Sequence, residues 1–401
     1  MLLSATHFPQ EDAYTCVQMQ LFQSFRARDS TAQQRLSNSL DFWDAIPKYS
    51  VNRMGGGCHR DRAVAPPILT RHFEFRNDHF QLDVRPARVR QPLTGAISIY
   101  YPTLREEIVE DALRKIASQQ QSGYYCDGPD RPRAGVRFTL HALRKYLREQ
   151  GHTINLAQLK ESLLILADSH IEVVALDNHQ KKQINSSIIR TLILSSRADI
   201  EQDPSCLCYA DFHPLITDAI HAIQYRQFDL SAVLQHRKPL ARWLHKYFIR
   251  TALNASPLHP IKLSLQFVKS ASGLLGSARW RDDVRSLRAA IEELISNNVL
   301  IAAQDYVEKE GASVVDLRLL LTPSASLVAD IIAANQRCQQ HRSLAAATET
   351  GPGAASPSRA APRLTGPGTP PPPRATNEAS PRRPERRYPH LTPRPSSPRV
   401  G

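Results

Sequence analysis

One order of helical and strand patterns occurs twice along this chain, and it limits the folds that the chain can adopt. Three helical patterns and then two strand patterns follow one another between residues 102 and 195. The same order returns between residues 239 and 321. Helices joined by a short turn and followed by a hairpin are typical of a winged helix. The repeat therefore predicts an α+β protein with two tandem winged-helix domains.

Helix-start residues mark the first unit. Thr103 is followed three residues later by Glu106, which is a capping box. Thr139 and Asn155 precede the second and third helical patterns as N-caps. Alternating apolar residues predict strands before and after these helices, at residues 68–75, 79–84, 96–101, 171–176 and 187–195.

The third helix of the first unit, from Leu156 onward, carries few basic residues. Lys160 stands beside Glu161 and Asp168, and leucines recur over the surface. This composition favours contact with protein over contact with bases, and so a homodimer interface or an internal packing partner. Three residues of the preceding helix are still predicted to be able to touch a DNA backbone: Arg144, Lys145 and Arg148.

The third helix of the second unit has a different pattern. An apolar stripe recurs at helical spacing, formed by Trp280, Val284, Leu287, Ile291 and Leu294. A polar and basic row lies beside it, formed by Ser277, Arg279, Arg281, Arg285 and Arg288. Helix-turn-helix proteins insert the N-terminal part of such a helix into the major groove, where arginine binds guanine. The pattern predicts base reading. The alternative is a solvated helix whose arginines pair with Asp282, Asp283 and Glu292.

Other basic residues of the second unit are predicted to bind phosphates, which fixes the register of a protein on DNA without reading its sequence. An ordinary exposed basic face is the alternative. These residues are Arg237, Lys238, Arg242, Lys246, Arg250 and Lys269.

The net charge of +13 favours a polyanionic partner, but its distribution matters. After residue 350 the chain has nine arginines, two glutamates and 14 of its 29 prolines. Such a composition predicts a disordered tail. The predicted division is a flexible arm at 1–40, a first winged-helix domain at 41–228, a second at 229–340 and the tail at 341–401.

Signatures of catalysis and of cofactor binding are missing from the sequence. It contains no phosphate-binding loop that ends in Gly-Lys, no dinucleotide glycine fingerprint and no His-Glu-x-x-His. We therefore expect no enzyme activity and no cofactor. Cys206 and Cys208 with His213 form half a metal site or a strand with buried thiols, and we expect no bound metal. Scattered cysteines and the lack of a long apolar stretch predict a cytoplasmic protein without membrane contact.

A peptide in the predicted arm resembles the sliding-clamp-binding motif of bacterial replication proteins. Gln18 is followed three residues later by the pair Leu21 and Phe22. In the motif, the apolar pair fills a pocket on the clamp and the glutamine makes polar contacts at its edge. The alternative is a short amphipathic helix that docks on the first domain through Val17, Leu21 and Phe25.

The chain as a whole resembles the theta-type plasmid replication initiators, the RepA/TrfA-like family that binds origin repeats called iterons. The resemblance spans roughly residues 41–322 and rests on segments 42–50, 101–117, 135–152, 240–248 and 280–300. It implies a dimerising first winged helix and an iteron-reading second one. It also implies opening of the plasmid origin and recruitment of the host helicase, initiator and sliding clamp. The Pro/Arg tail departs from the family pattern. A winged-helix transcriptional regulator of a mobile element is the alternative.

Overall fold

The structure, a computed structural model, is a mixed α/β fold of helices and antiparallel sheets. It describes residues 35–51, 68–91, 94–118, 122–126, 132–176, 183–195, 206–252, 254, 256–311 and 313–349. These residues all belong to one compact unit, residues 1–352. Within the part of the chain described, no helix is long and apolar enough to cross a membrane.

Helices begin where short-range capping signals predict them. The amide of Thr103 donates to the Glu106 carboxylate at 2.9 Å, so the predicted capping box is confirmed. The side chains of Thr139 and Asn155 accept amide hydrogen bonds from the first turns of their helices. The helices of the described residues are α1 (Leu104–Ala117), α2 (Leu140–Glu149), α3 (Leu156–Asp168), α4 (Pro214–His221), α5 (Leu230–Leu234), α6 (Pro239–Thr251), α7 (Leu265–Ser272), α8 (Trp280–Ser296) and α9 (Ala325–Glu349).

The strands pair into five antiparallel sheets within the described ranges. Their orders are β2-β3-β8-β9, β10-β11-β7-β6, β13-β15-β14, β1-β12 and β4-β5. The strands are β1 (Leu36–Leu40), β2 (Leu69–Phe75), β3 (Asp78–Arg85), β4 (Ala87–Arg90), β5 (Ile97–Tyr100), β6 (Gly123–Cys126), β7 (Arg133–Phe138), β8 (His170–Ala175), β9 (Gln183–Ser187), β10 (Ile189–Ile193), β11 (Cys208–Phe212), β12 (Tyr225–Asp229), β13 (Ile261–Ser264), β14 (Leu300–Glu310) and β15 (Ser313–Pro323).

The prediction of a single strand at residues 187–195 is wrong. β9 ends at Ser187 and pairs with β8, whereas β10 starts at Ile189 and pairs with β11 in a different sheet. Ile188 lies between them and is buried, so the chain changes sheets at a core position. An apolar run cannot reveal such a change, because both strands need buried residues.

Both ends of the folded region extend further than the sequence predicts. Residues 36–40, predicted as the end of the arm, form β1 and pair with β12. α9 continues to Glu349, past residue 341, where the tail was predicted to begin. His341 is buried, and its ring lies 5.9 Å from the ring of Tyr225.

One hydrophobic core joins the two parts of the chain that hold the repeated patterns, called from here on the first unit (residues 41–228) and the second unit (residues 229–340). Leu113 of α1 and Leu163 of α3 belong to the same buried cluster as Phe248 of α6 and Leu287 of α8. A 3-10 turn at Trp43–Ala45 adds Trp43 to this cluster. Contacts within the core therefore position the second unit against the first.

Candidate nucleic-acid interface

Helix α8 is seated on the second unit by one apolar face. Val284, Leu287, Ile291 and Leu294 are all buried, as the spacing predicts. Trp280 is an exception, because 38% of it is exposed. The inclusion of Trp280 in the buried stripe is therefore wrong: the indole stands at the first turn of α8, where the helix leaves the core.

The face of α8 beside this buried stripe presents the predicted basic row to solvent. Arg279, Arg281, Arg285 and Arg288 are exposed. Arg285 pairs with Asp282 at 3.1 Å, and Arg288 pairs with Asp305 of β14 at 2.6 Å. Ion pairs this exposed are weak and exchange readily with other anions. This face carries positive charge that a polyanion can reach.

Ser277 and Lys269 hold the turn before α8 through one buried carboxylate. The Ser277 amide donates to Asp283 at 3.1 Å, and the Lys269 ammonium lies 2.7 Å from the other oxygen of Asp283. Asp283 thereby connects α7, the turn and the first turn of α8. The sequence suggested Asp283 only as an ion-pair partner for arginine.

The start of α6 lies beside the second half of α8. The amides of Arg237 and Lys238 donate to the Glu293 carboxylate, the second at 2.9 Å. Glu293 therefore caps α6, whose N-cap Lys238 makes no side-chain cap of its own. The side chains of Arg237 and Lys238 remain exposed, as a phosphate contact requires.

The prediction that the basic residues of α6 form an exposed surface is wrong. Arg242, Lys246 and Arg250 are all buried. Arg242 donates to the carbonyls of His236 and Arg237 at 2.9 and 3.3 Å, and Arg250 packs over the Tyr247 ring. Their spacing of four residues predicts one helix face, and the three residues do share one, but that face is turned away from solvent, and Lys246 on it contacts the first unit.

Lys246 is bound in an ionic cluster between α1 and α6. It pairs with Asp111 and, at 3.1 Å, with Glu107. Burial alone would lower the pKa of Lys246, but these two carboxylates reverse the effect and hold it above its usual value. Arg114 extends the cluster to Asp44 at 2.9 Å. A side chain held in this way does not reach a phosphate in this conformation.

The corresponding helix of the first unit, α3, is covered on its outer side. Ile165 is fully buried with Ala87 and Val89 of β4, and Tyr100 of β5 packs on them. The amide of Arg88 donates to Asp168 at 2.6 Å and ties the hairpin to the end of the helix.

On α2, the basic residues Arg144, Lys145 and Arg148 are exposed, as their pattern indicates.

The possible half metal site is occupied by structural contacts. Cys208 is buried in β11. The His213 ring accepts from the Leu215 amide at 3.1 Å and lies 4.6 Å from the Trp43 ring. Within the described ranges, no three His, Cys, Asp or Glu side chains are grouped so that they could hold a metal.

The predicted clamp peptide, Gln18, Leu21 and Phe22, lies outside the described residues.

No family model and no curated protein matches the sequence. Among solved structures, domains 2 and 3 of RctB as the selenomethionine derivative match with a TM-score of 0.45 and 12% identity, over 71% of this chain and 98% of that chain. A second structure of RctB domains 2-3 matches with a TM-score of 0.41 and 11% identity, over 68% of this chain and 96% of that chain. The Pi initiator protein in complex with iteron DNA matches with a TM-score of 0.35 and 13% identity, over 60% of this chain and 98% of that chain.

This chain is similar to an iteron-bound initiator.

Proposed function

We propose that this chain is a plasmid replication initiator that binds iteron repeats at its origin and reads them with α8. The observation that carries the proposal is the exposed arginine row on the first half of α8, beside a face seated in the core. Arg281 has no ion-pair partner among the described residues, so it is available for a bidentate contact with guanine O6 and N7. Glu292 and Glu293 make the second half acidic, which suits a helix that enters the groove by its N-terminal half.

Each repeated unit is, in this proposal, a winged helix. The order α6, β13, α7, α8, β14 and β15 supports this for the second unit, and the order α1, β6, β7, α2, α3, β8 and β9 supports it for the first. In helix-turn-helix proteins the second helix of the motif reads the major groove. The exposed side chains of Arg237 and Lys238 would then bind phosphates near the end of α8.

The other partners are proposed from the family resemblance. The first unit would form a homodimer, and the bound initiator would help to open the origin and recruit host helicase, chromosomal initiator and sliding clamp. The clamp would bind Gln18, Leu21 and Phe22. The protein would act by binding and not as an enzyme.

A transcriptional regulator with the same reading helix is the alternative function. Both proteins would bind a specific duplex, so binding alone does not separate them. A plasmid that carries the gene beside direct repeats, and that stops replicating when the gene is deleted, identifies an initiator. A regulator would leave replication unchanged and alter transcription.

The test of DNA reading uses the full chain and a duplex that it selects from a randomised library. Arg281→Ala should cost about 1 to 3 kcal/mol of binding free energy on the selected duplex and much less on random DNA. Arg342→Ala removes an equally exposed arginine of α9 and is the matched control. Equal losses of binding free energy on the selected and random duplexes would mean that Arg281 contacts a phosphate and does not read a base. Failure of the native chain to select any sequence would refute the proposed function.

A further inference from the structure

A first-unit arginine reaches the turn that precedes the reading helix. Arg71 lies on β2, and its guanidinium donates to the carbonyl oxygens of Pro47 and Tyr49, the second at 2.8 Å. The same guanidinium donates to the carbonyl oxygen of Gly273 at 3.3 Å. Gly273 ends α7 and begins the turn into α8. One side chain therefore connects three backbone segments, two of the first unit and one of the second.

Gly273 is adapted to this contact in two ways. Its φ of +64° lies in the left-handed region, which glycine adopts without steric cost. A Cβ atom added at this position would also overlap the guanidinium of Arg71. The backbone of the turn and the arginine thus approach each other as closely as the absence of a side chain allows.

The first-unit end of this connection is firmly anchored. The Tyr49 hydroxyl donates to Glu110 of α1, which also accepts from the Trp43 indole at 2.6 Å. Burial lowers the pKa of Arg71 to about 10, so the guanidinium stays charged at neutral pH. Its planar set of five N–H donors can serve several carbonyls at once, whereas a lysine ammonium acts as a point charge on a flexible stem.

We propose that Arg71 is a positioning residue for sequence reading, which fixes the turn between α7 and α8 against the first unit and so sets how α8 presents Arg279 and Arg281. This inference rests on the proposed function of α8. Base contacts need hydrogen-bond geometry within narrow limits of distance and angle. Phosphate contacts from long side chains tolerate a shifted helix better. Loss of Arg71 therefore weakens specific binding more than non-specific binding.

The experiment compares Arg71→Ala with native full-length protein on the selected duplex and on random DNA. We expect affinity for the selected duplex to fall about tenfold, a size typical of losing one good base contact, with random binding unchanged within about twofold. Arg85→Ala is the matched control, because Arg85 is an exposed arginine on the neighbouring strand β3 and carries the same charge. Arg85→Ala should bind both the selected duplex and random DNA with native affinity. Arg71→Lys should lower the ratio of selected to random affinity by less than Arg71→Ala does.

A purely structural role makes a different prediction. It would lower the melting temperature of Arg71→Ala while the ratio of selected to random affinity stays native at temperatures where the variant is folded, and that result would overturn the proposal. If Arg71→Ala does not fold, Arg71→Lys decides, with hydrogen exchange of the turn amides as a second measurement. Faster exchange at Ser277 with a reduced ratio supports positioning, whereas native exchange and a native ratio overturn it. Failure of the native chain to prefer any duplex would instead count against the proposed function.

Discussion

Helices α3 and α8 hold the same place in the two repeated units but differ in what lies on their outer faces. On α3 the outer residue Ile165 is covered by Ala87 and Val89 of the hairpin β4-β5. On α8 the outer face carries Arg281 and Arg285, both exposed to solvent. A helix can enter a DNA groove only through a face that nothing else covers, so the hairpin excludes α3 from the reading role that is proposed for α8.

The comparison also bears on the leucine-rich surface of α3. The sequence predicts from it a contact with protein, either a dimer interface or an internal partner. On that helix Ile165 is buried within the chain, under a hairpin that precedes α1. Leu164 remains 42% exposed, and the homodimer stays a prediction.

The largest expected effect separates the buried basic residues of the second unit from its exposed ones. Lys246→Met removes the buried cation that pairs with Asp111 and Glu107 and leaves the buried carboxylate of Asp111 with Arg114 alone, which should lower the free energy of unfolding by about 3 to 5 kcal/mol. Arg237→Ala is the control, because its side chain is exposed, and should leave stability nearly unchanged. Chemical denaturation measures both. A native stability for Lys246→Met would mean that the cluster between α1 and α6 does not form in solution.

The second prediction tests the cover over α3 directly. Ile165→Ala should lower the free energy of unfolding by about 2 to 5 kcal/mol, because it opens a cavity under β4-β5. Arg285→Ala changes an outward residue of α8 and should alter stability by no more than about 0.5 kcal/mol. If the two variants are equally stable in denaturation, Ile165 is not buried under the hairpin, and the outer faces of α3 and α8 do not differ in burial.

The third prediction concerns one buried histidine in each unit. Burial lowers the pKa of His213 and of His245 to about 3, from 6.5 in an accessible histidine. Both folded pKa values lie below the unfolded value, so the stability each contributes is present above pH 6.5 and is lost as the pH falls. From pH 7.5 to pH 5 each should cost about 2 kcal/mol of unfolding free energy.

His213→Asn keeps a side chain able to cap α4 and removes the titration. It should reduce the dependence of the unfolding free energy on pH between 7.5 and 5. If the two units unfold in separate steps, only the step of the first unit should change. An unchanged pH dependence in every step would show that His213 titrates as an accessible residue.

The smallest effect concerns charges on the outer faces. Asp305→Asn releases Arg288, which should alter stability by less than about 1 kcal/mol. Random-duplex binding should strengthen, with a salt dependence steeper by about one released counterion. Glu172→Gln releases Arg85 in the first unit and makes the same change of charge. It should leave DNA binding unchanged, whereas equal gains for both variants would place DNA on both units.

The candidate site was predictable as far as it depends on helix α8 alone. The spacing of Val284, Leu287 and Ile291 fixed the buried side, and the arginines one position away fixed the exposed side. The same reasoning placed Arg242, Lys246 and Arg250 on one face of α6 correctly but could not tell which face was covered. Helical periodicity reports which residues share a face and carries no information about what packs against it.

The sequence by itself determined where helices begin, because capping by Thr103, Thr139 and Asn155 involves residues only three positions apart. Only the tertiary structure decided which basic residues stay exposed. Lys246 meets Asp111 across 135 residues, and Arg71 meets Gly273 across 202. Such contacts depend on the path of the whole chain, since burial and charge pairing are properties of what surrounds a side chain. For that reason the exposed arginines of α8 and the buried ones of α6 look alike in sequence and differ in the folded protein.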